Sequence, residues 1–394
     1  MSEHSISSAL DKIPKSGIRK LFDLAQSMEG IISLGIGEPD FVTPPNIVEA
    51  CIKSLKEGKT YYSPNSGIFE LRKAISEKMK KKNNITVSEK EILVTIGGGE
   101  ALSLSIQSII GTGAEVIVPS PAFVAYVPTV ILAGGNPIEV ECKEDENFVL
   151  TPENLEEKIT QNTELLILNS PTNPTGSVMK KNDLERISDL VIEYNLKVIS
   201  DEVYESLIYD GKKHVSIGSL NGMEDKVTTV NSFSKTYSMT GWRVGYLASK
   251  NEILFDRMLK LHMYGPVCNN TFAQFGALEA LKGSQDSVNL MREEFEDRRN
   301  LLLKRIEEMN GVRAIKPEGA FYIFMNISET GMKSEEFSEK LLNQEKVVTV
   351  PGSAFGPYSD KFVRLAYPLK KDKINEACRS EERRVGKECR SRWS

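Results

Sequence analysis

Between about residues 46 and 280, short apolar runs alternate with segments of helical period; the runs read EILVTI, AEVIVPS, LLILNSP, LKVISDE and KVTTVNSFS. Buried strands separated by helical crossovers predict an α/β fold, with a mostly parallel sheet covered by helices. Several of the runs end directly in polar or glycine-rich residues. In open α/β sheets ligands gather beyond the carboxyl ends of the strands, so candidate functional residues are sought there.

Beyond about residue 285 the rhythm changes. A long charged amphipathic segment, VNLMREEFEDRRNLLLKRIEEMN, precedes the strand-like AFYIFMN, VVTV and FVRLAY, which predicts a smaller α+β domain. A chain of 394 residues with 40% hydrophobic content is expected to form two domains, a large one over 46–285 and a small one over 286–378. Residues 1–45 are expected to form an N-terminal arm that packs with the small domain or with a neighbouring subunit. The stretch from Arg379 to Ser394, RSEERRVGKECRSRWS, is dense in Arg and Ser and reads as a non-native tail, a cloning or reading-frame scar.

Composition narrows the chemistry. A net charge of -5 with interspersed signs offers no broad basic surface, so no nucleic-acid partner is expected. The N-terminal segment has neither a secretory apolar core nor an Arg-rich transit pattern, and no stretch stays apolar for a bilayer's span, which predicts a soluble cytoplasmic protein without a membrane partner. Five scattered cysteines lack CxxC spacing, against both a disulfide framework and a zinc site. His4, His214 and His262 lie far apart and supply no histidine-based metal centre. An organic cofactor is the remaining source of chemistry.

Four segments carry candidate residues. Ser232-Phe233-Ser234-Lys235, followed by Gly241-Trp242-Arg243-Val244-Gly245, comes directly after the strand-like VTTV. A lysine there can form a Schiff base with an aldehyde cofactor, while neighbouring hydroxyls and Arg243 offer donors for its phosphate; a solvated surface lysine is the plain alternative. Asp201 ends the run LKVISD, where a half-buried carboxylate needs a cation such as a pyridinium nitrogen or else caps the next helix. In Asn169-Ser170-Pro171-Thr172-Asn173-Pro174-Thr175-Gly176 a fixed turn would present Asn173 to a cofactor oxygen, or serve as turn punctuation alone. Gly97-Gly98-Gly99-Glu100, between a strand and a helix, would expose backbone N–H groups to an anion or simply form a tight turn; it lacks the spacing of an ATP or dinucleotide loop.

Taken in order from about Ser33 to Ala377, these segments resemble the class I/II aminotransferases of the aspartate aminotransferase fold. The similar pieces are GEPDF at Gly37, YSPNSG at Tyr62 with Leu71-Arg72, GGGEA, NSPTNPTG, SDEVY, SFSK with GWRVG, EGAFY at Glu318, and VRLAY around Arg364. The resemblance implies a pyridoxal 5'-phosphate enzyme of fold type I, with a seven-stranded-type sheet in a large cofactor-binding domain and a smaller α+β domain. It implies that Lys235 is the Schiff-base lysine of the internal aldimine and that Asp201 keeps the pyridine nitrogen protonated. Tyr204 and Asn173 would bond the ring's phenolic oxygen, and Phe123 would stack on the ring. Ser232, Arg243 and the backbone of Gly97, Gly98 and Gly99 would hold the phosphate, with Tyr62 reaching it from the other subunit of a homodimer. Arg364 would bind the substrate α-carboxylate, and Gly37 would line the same pocket. The implied activity is ping-pong transfer of the amino group of an L-amino acid, aspartate first and an aromatic donor second, to 2-oxoglutarate. A carbon-sulfur lyase of the same fold is the alternative reading, and a non-catalytic ligand sensor the alternative of another class.

Overall fold

Each of the five apolar runs is a strand of one sheet. The computed structural model describes residues 8–11, 13 and 28–379. Residues 1–7, 12 and 14–27 of the N-terminal arm, and all of the tail but Arg379, lie outside the described residues. Strands are numbered along the chain: β1 (Ile32–Ser33), β2 (Ile92–Thr95), β3 (Glu115–Ser120), β4 (Asn136–Glu141), β5 (Thr163–Asn169), β6 (Lys197–Asp201), β7 (Val227–Ser232), β8 (Gly245–Ser249), β9 (Arg313–Ala314), β10 (Tyr322–Asn326), β11 (Val347–Val348), β12 (Val350–Pro351) and β13 (Phe362–Ala366). The large sheet has seven strands in the order β2-β8-β7-β6-β5-β3-β4. β8 runs against both of its neighbours, and the pairs from β7 across to β4 are parallel. The fold is α/β, as expected.

The central strands are apolar throughout because both faces of the sheet are covered. On β5, Leu165 and Ile167 enter one core while Leu166 and Leu168 enter another, the two-residue period of a strand buried on both sides. The first core lies under the helices Gly97–Ile109, Tyr126–Leu132 and Glu252–Tyr264, and the second under Pro152–Lys158 and Lys181–Glu193.

The residues after 285 begin with the helix Asp286–Glu307, which lies beside a four-stranded sheet ordered β12-β13-β10-β9. This helix buries Val288, Met291, Phe295, Leu302 and Ile306, a stripe at three- and four-residue spacing. It also buries Arg299, whose guanidinium forks onto Asp210 at 2.8 and 3.0 Å and donates to the Pro317 carbonyl at 2.9 Å. The VVTV run divides between two sheets at Thr349: β11 pairs with β1 and β12 with β13. β1 therefore ties the segment ahead of the large sheet to the later part of the chain, with Leu34 N–H on Val348 O at 2.8 Å. That tie delivers Gly35, Gly37 and Glu38 to the edge where β5, β6 and β7 end.

Candidate active site

The carboxyl ends of β2, β5, β6 and β7 border a cavity of about 670 Å³. Its wall holds Asp201 at the end of β6, Ser232 at the end of β7 and Asn169 at the end of β5, with Arg364 entering from β13. β7 stops at Ser232 because the hydroxyl accepts the Ser234 N–H at 3.2 Å and starts the short helix Phe233–Thr236, a side-chain cap. That turn carries Lys235 off the sheet and over the cavity.

The Lys235 ammonium donates to the Gly37 carbonyl at 2.5 Å. Burial disfavours its charge, and the Arg364 and Arg243 guanidiniums add to that effect against Glu38 and Asp201, so its pKa is lowered to about 8. Asp201 is displaced the other way: burial raises its carboxyl to about 6, although the Tyr126 hydroxyl, donating at 2.7 Å, and the Val203 N–H at 3.3 Å favour the anion. Its hydrogen-bonded partners are neutral, so the site has room for a cation in front of it.

At one side of the cavity the helix Gly97–Ile109 begins, with Gly98 and Gly99 on the wall. Gly97 has φ +76°, and a Cβ on it would stand 2.5 Å from Arg243 Nη2. Arg243 is itself left-handed at φ +56° and donates to the Thr240 carbonyl at 2.9 Å. A helix N-terminus, the Ser232 hydroxyl and a guanidinium thus surround one place, which is an anion cradle.

At another side Arg364 is buried. Its Nη1 donates to Asn173 Oδ1 at 3.0 Å and its Nη2 to the Gly35 carbonyl at 2.7 Å, with the guanidinium 4.6 Å from the Tyr322 ring centroid. Its Nε finds no partner among the described residues. Asn173 is itself set by Asn169, whose Oδ1 accepts the Asn173 N–H at 2.9 Å while its Nδ2 donates to the Asp201 carbonyl at 3.0 Å. Tyr204 and Tyr322 share a hydrogen bond of 2.7 Å between their hydroxyls, and burial raises the pKa of both phenols. Tyr322 also closes on Gly37, where an added Cβ would meet its hydroxyl at 2.6 Å.

Gly37, Gly98, Gly99, Phe123, Asn173, Asp201, Tyr204, Ser232, Lys235, Arg243 and Arg364 all line this one cavity, and Gly97 touches it through Arg243. Tyr62 does not: it is 85% exposed and absent from the wall. Sequence reasoning missed the parts played by Tyr126 on Asp201, Tyr322 on Tyr204 and Asn169 on Asn173. The last signal was present, since Asn169 opens the NSPTNPTG turn at the end of β5; the two tyrosine pairings join residues at least 75 positions apart and leave no local pattern.

A family model described as Aminotransferase class I and II matches residues 29–380. The aspartate aminotransferase of Pyrococcus abyssi is 49% identical over 376 residues, covering 95% of this chain and 96% of that protein. Aromatic-amino-acid aminotransferase 2 of Thermococcus litoralis is 48% identical with the same coverage. Among solved structures, an aromatic aminotransferase from Pyrococcus horikoshii superposes with a TM-score of 0.89 at 47% identity, covering 93% of this chain and 99% of that one. The Thermus thermophilus aspartate aminotransferase with maleate does so with a TM-score of 0.91 at 36% identity, covering 97% and 100%. Enzymes of this family depend in general on pyridoxal phosphate and act on amino and oxo acids. With the match running through nearly every described residue and with the pocket built as it is, the chain belongs to the class I and II aminotransferase family and is a transaminase.

Proposed function

We propose that this chain binds pyridoxal phosphate on Lys235 and passes the amino group of an L-amino acid to 2-oxoglutarate in two half-reactions. One observation carries the reading. A lysine amine with its pKa drawn down to about 8 shares a cavity with a buried carboxylate whose hydrogen-bond partners are all neutral, between an anion cradle and a buried arginine. The residues fit the cofactor. Gly97 leaves no space for a Cβ beside Arg243, as a cradle shaped around a phosphate requires, and Asp201 would answer a protonated ring nitrogen.

Ser232, Arg243 and the N–H groups of Gly97, Gly98 and Gly99 would hold the phosphate. Tyr204 and Asn173 would bond the ring oxygen, the latter through Nδ2 because its Oδ1 already accepts from Arg364, and Phe123 would cover the ring. When bound, pyridoxal phosphate supplies an electron sink for the pair left at the substrate α-carbon. Lys235 Nζ, neutral in a useful fraction near pH 7 to 8, takes the α-proton and returns it. Arg364 grips the α-carboxylate in its planar fork, fixing which bond at the α-carbon is presented to Lys235.

Aspartate is the first donor, supported by the name of the Pyrococcus abyssi relative. A specific observation favours an aromatic donor as the second: among the described residues, the wall adds no cation beyond Lys235, Arg243 and Arg364, and it includes Ile36, Leu102, Phe123, Val124 and Tyr126. The same reading holds that the protein is a homodimer with Tyr62 reaching the partner's phosphate, and that residues 46–285 and 286–378 are separate domains. It also places the protein in the cytoplasm; among the described residues no helix is long and apolar enough to cross a membrane. The test is to incubate the purified protein with pyridoxal phosphate, 2-oxoglutarate and either aspartate or phenylalanine. Glutamate formation, with a borohydride-fixed label on the peptide containing Lys235, is expected. Ammonia released without glutamate would overturn the reading.

A further inference from the structure

Behind Asp201, on the far side of the strand end, ionisable side chains are packed together in the interior. Asp201 and Glu202 are successive residues, so their carboxylates leave the chain on opposite faces: Asp201 lines the cavity, and Glu202 is fully buried away from it. Glu202 Oε1 accepts from Ser200 Oγ at 2.8 Å. Its Oε2 accepts from Ser216 Oγ at 2.6 Å and Asn83 Nδ2 at 2.9 Å, and lies 2.9 Å from His214 Nε2. Glu205 accepts from Asn83 Nδ2 at 2.5 Å and is paired with Lys78, whose ammonium also donates to the Tyr246 hydroxyl at 3.0 Å. Tyr237 and the exposed Lys82 also face this charge, Lys82 toward Glu205.

Glu202, Glu205 and His214 bring ligand atoms within 4.8 Å of one another, a spacing compatible with a metal ion. The oxygens are already answered, however, by the Lys78 ammonium, the imidazole, the amide of Asn83 and two hydroxyls, so the cationic places are taken. Two buried carboxylates call for two buried cations. Lys78 is one; His214 Nε2 stands 2.9 Å from Glu202 in the place of the other, and although burial and Lys78 pull its pKa down, the adjoining Glu202 and Glu205 raise it from the ordinary histidine value. Ion clusters of this kind add little net stability over apolar packing. Stability alone therefore does not account for this one, and its place directly behind Asp201 does.

We propose that Glu202, fixed by His214, Asn83 and Ser216, is a positioning residue that pins the chain just beyond Asp201 and sets a second negative charge behind it, so that the cationic ring nitrogen of the cofactor is held by two carboxylates. This rests on the reading of Asp201 as that nitrogen's partner. Lys78 and His214 determine how much of the second charge reaches the ring: removing the Glu202 charge weakens the hold, and removing the His214 charge strengthens it. A role limited to packing would not give opposite effects.

The experiment compares the holoenzyme with Glu202→Gln, Glu202→Asp and His214→Gln. It reads the pH midpoint of the bound cofactor's absorption change, together with kcat and KM. At an effective dielectric near 20, a charge about 10 Å away moves a titration by roughly one unit. Glu202→Gln is expected to lower the midpoint by about one unit and kcat by about tenfold, with KM within about twofold of the parent. His214→Gln is expected to raise the midpoint, and Glu202→Asp, which keeps the charge, to recover most of the parent value. If Glu202→Gln does not fold, the upward shift in His214→Gln and the recovery in Glu202→Asp decide the matter. Midpoints coinciding with the parent's in a protein labelled at Lys235 overturn this proposal alone. A parent protein that borohydride leaves unlabelled at Lys235 overturns the functional reading and this proposal with it.

Discussion

Burial acts on Lys235 and Asp201 in opposite directions, since it penalises whichever form is charged: the amine falls to about 8 while the carboxyl rises to about 6. The reactive form of Lys235 is the free amine. In the cofactor-free protein, capture of pyridoxal phosphate should therefore slow as pH falls below about 8 and level off above it, whereas an ordinary surface lysine would keep gaining rate beyond pH 10. Stopped-flow absorbance across pH 6 to 10 checks this. The linkage has a definite sign. A lysine depressed from 10.5 to about 8 holds fewer protons when folded than when unfolded across that interval, so its charge costs stability below about pH 8 and that cost is relieved as pH rises to 10.5. For Asp201, the substitution Asp201→Asn keeps the shape and removes the charge. It should lower kcat by about 100-fold, the equivalent of two pKa units of lost pairing, while Arg364 keeps KM within a few-fold of the parent in steady-state assays.

The anion cradle, proposed to take the cofactor phosphate, is a property of an element, the junction of β2 with the helix Gly97–Ile109, and its glycines are not interchangeable. Gly97 holds a left-handed φ and stands against Arg243, whereas a Cβ on Gly99 would meet nothing within 4 Å. Gly97→Ala should raise the dissociation constant for pyridoxal phosphate about 10- to 100-fold, since a strained φ and a displaced guanidinium cost about 1–3 kcal/mol; Gly99→Ala should change it less than about threefold. Equilibrium titration of the cofactor-free variants separates the two. This junction was legible in the sequence because glycine, a strand pattern and a helix pattern stand side by side. So were β2, β3, β5, β6 and β7, whose apolar runs are long and doubly buried. β4 was missed because it is half-exposed and opens with Asn136-Pro137, and β8 because GYLAS is short and made partly of small residues. What joined the site across the chain, such as Arg364 on Asn173 at a separation of 191 positions, has no period to reveal it; resemblance marked those positions, and packing alone explains their contact.

At the scale of the whole molecule, the proposed homodimer turns on Tyr62, which the cavity wall of the single chain does not include. Tyr62 is 85% exposed, and its neighbour Tyr61 and the nearby Tyr264 are each 83% exposed. The segment is held in place, not free, since Thr271 Oγ1 donates to the Tyr61 carbonyl and Asn65 Nδ2 to the Val267 carbonyl, both at 2.7 Å. Large aromatic rings held rigidly at the surface favour an interface. If Tyr62 serves the partner's phosphate, two defective chains should complement each other. Lys235→Ala has no reactive amine but a sound Tyr62; Tyr62→Ala has a sound lysine but lacks the reaching hydroxyl. In a mixed dimer, one site carries both defects and the other carries neither. Random re-association of equal amounts makes about half the dimers mixed, so activity at limiting cofactor should rise to about a quarter of the parent's, with each variant alone far below that. If Tyr62 acted within its own chain, every mixed dimer would hold two impaired sites and mixing would recover nothing. Sedimentation of the parent at twice the chain mass, together with the activity of the mixture after dissociation and re-association, checks both halves of the argument.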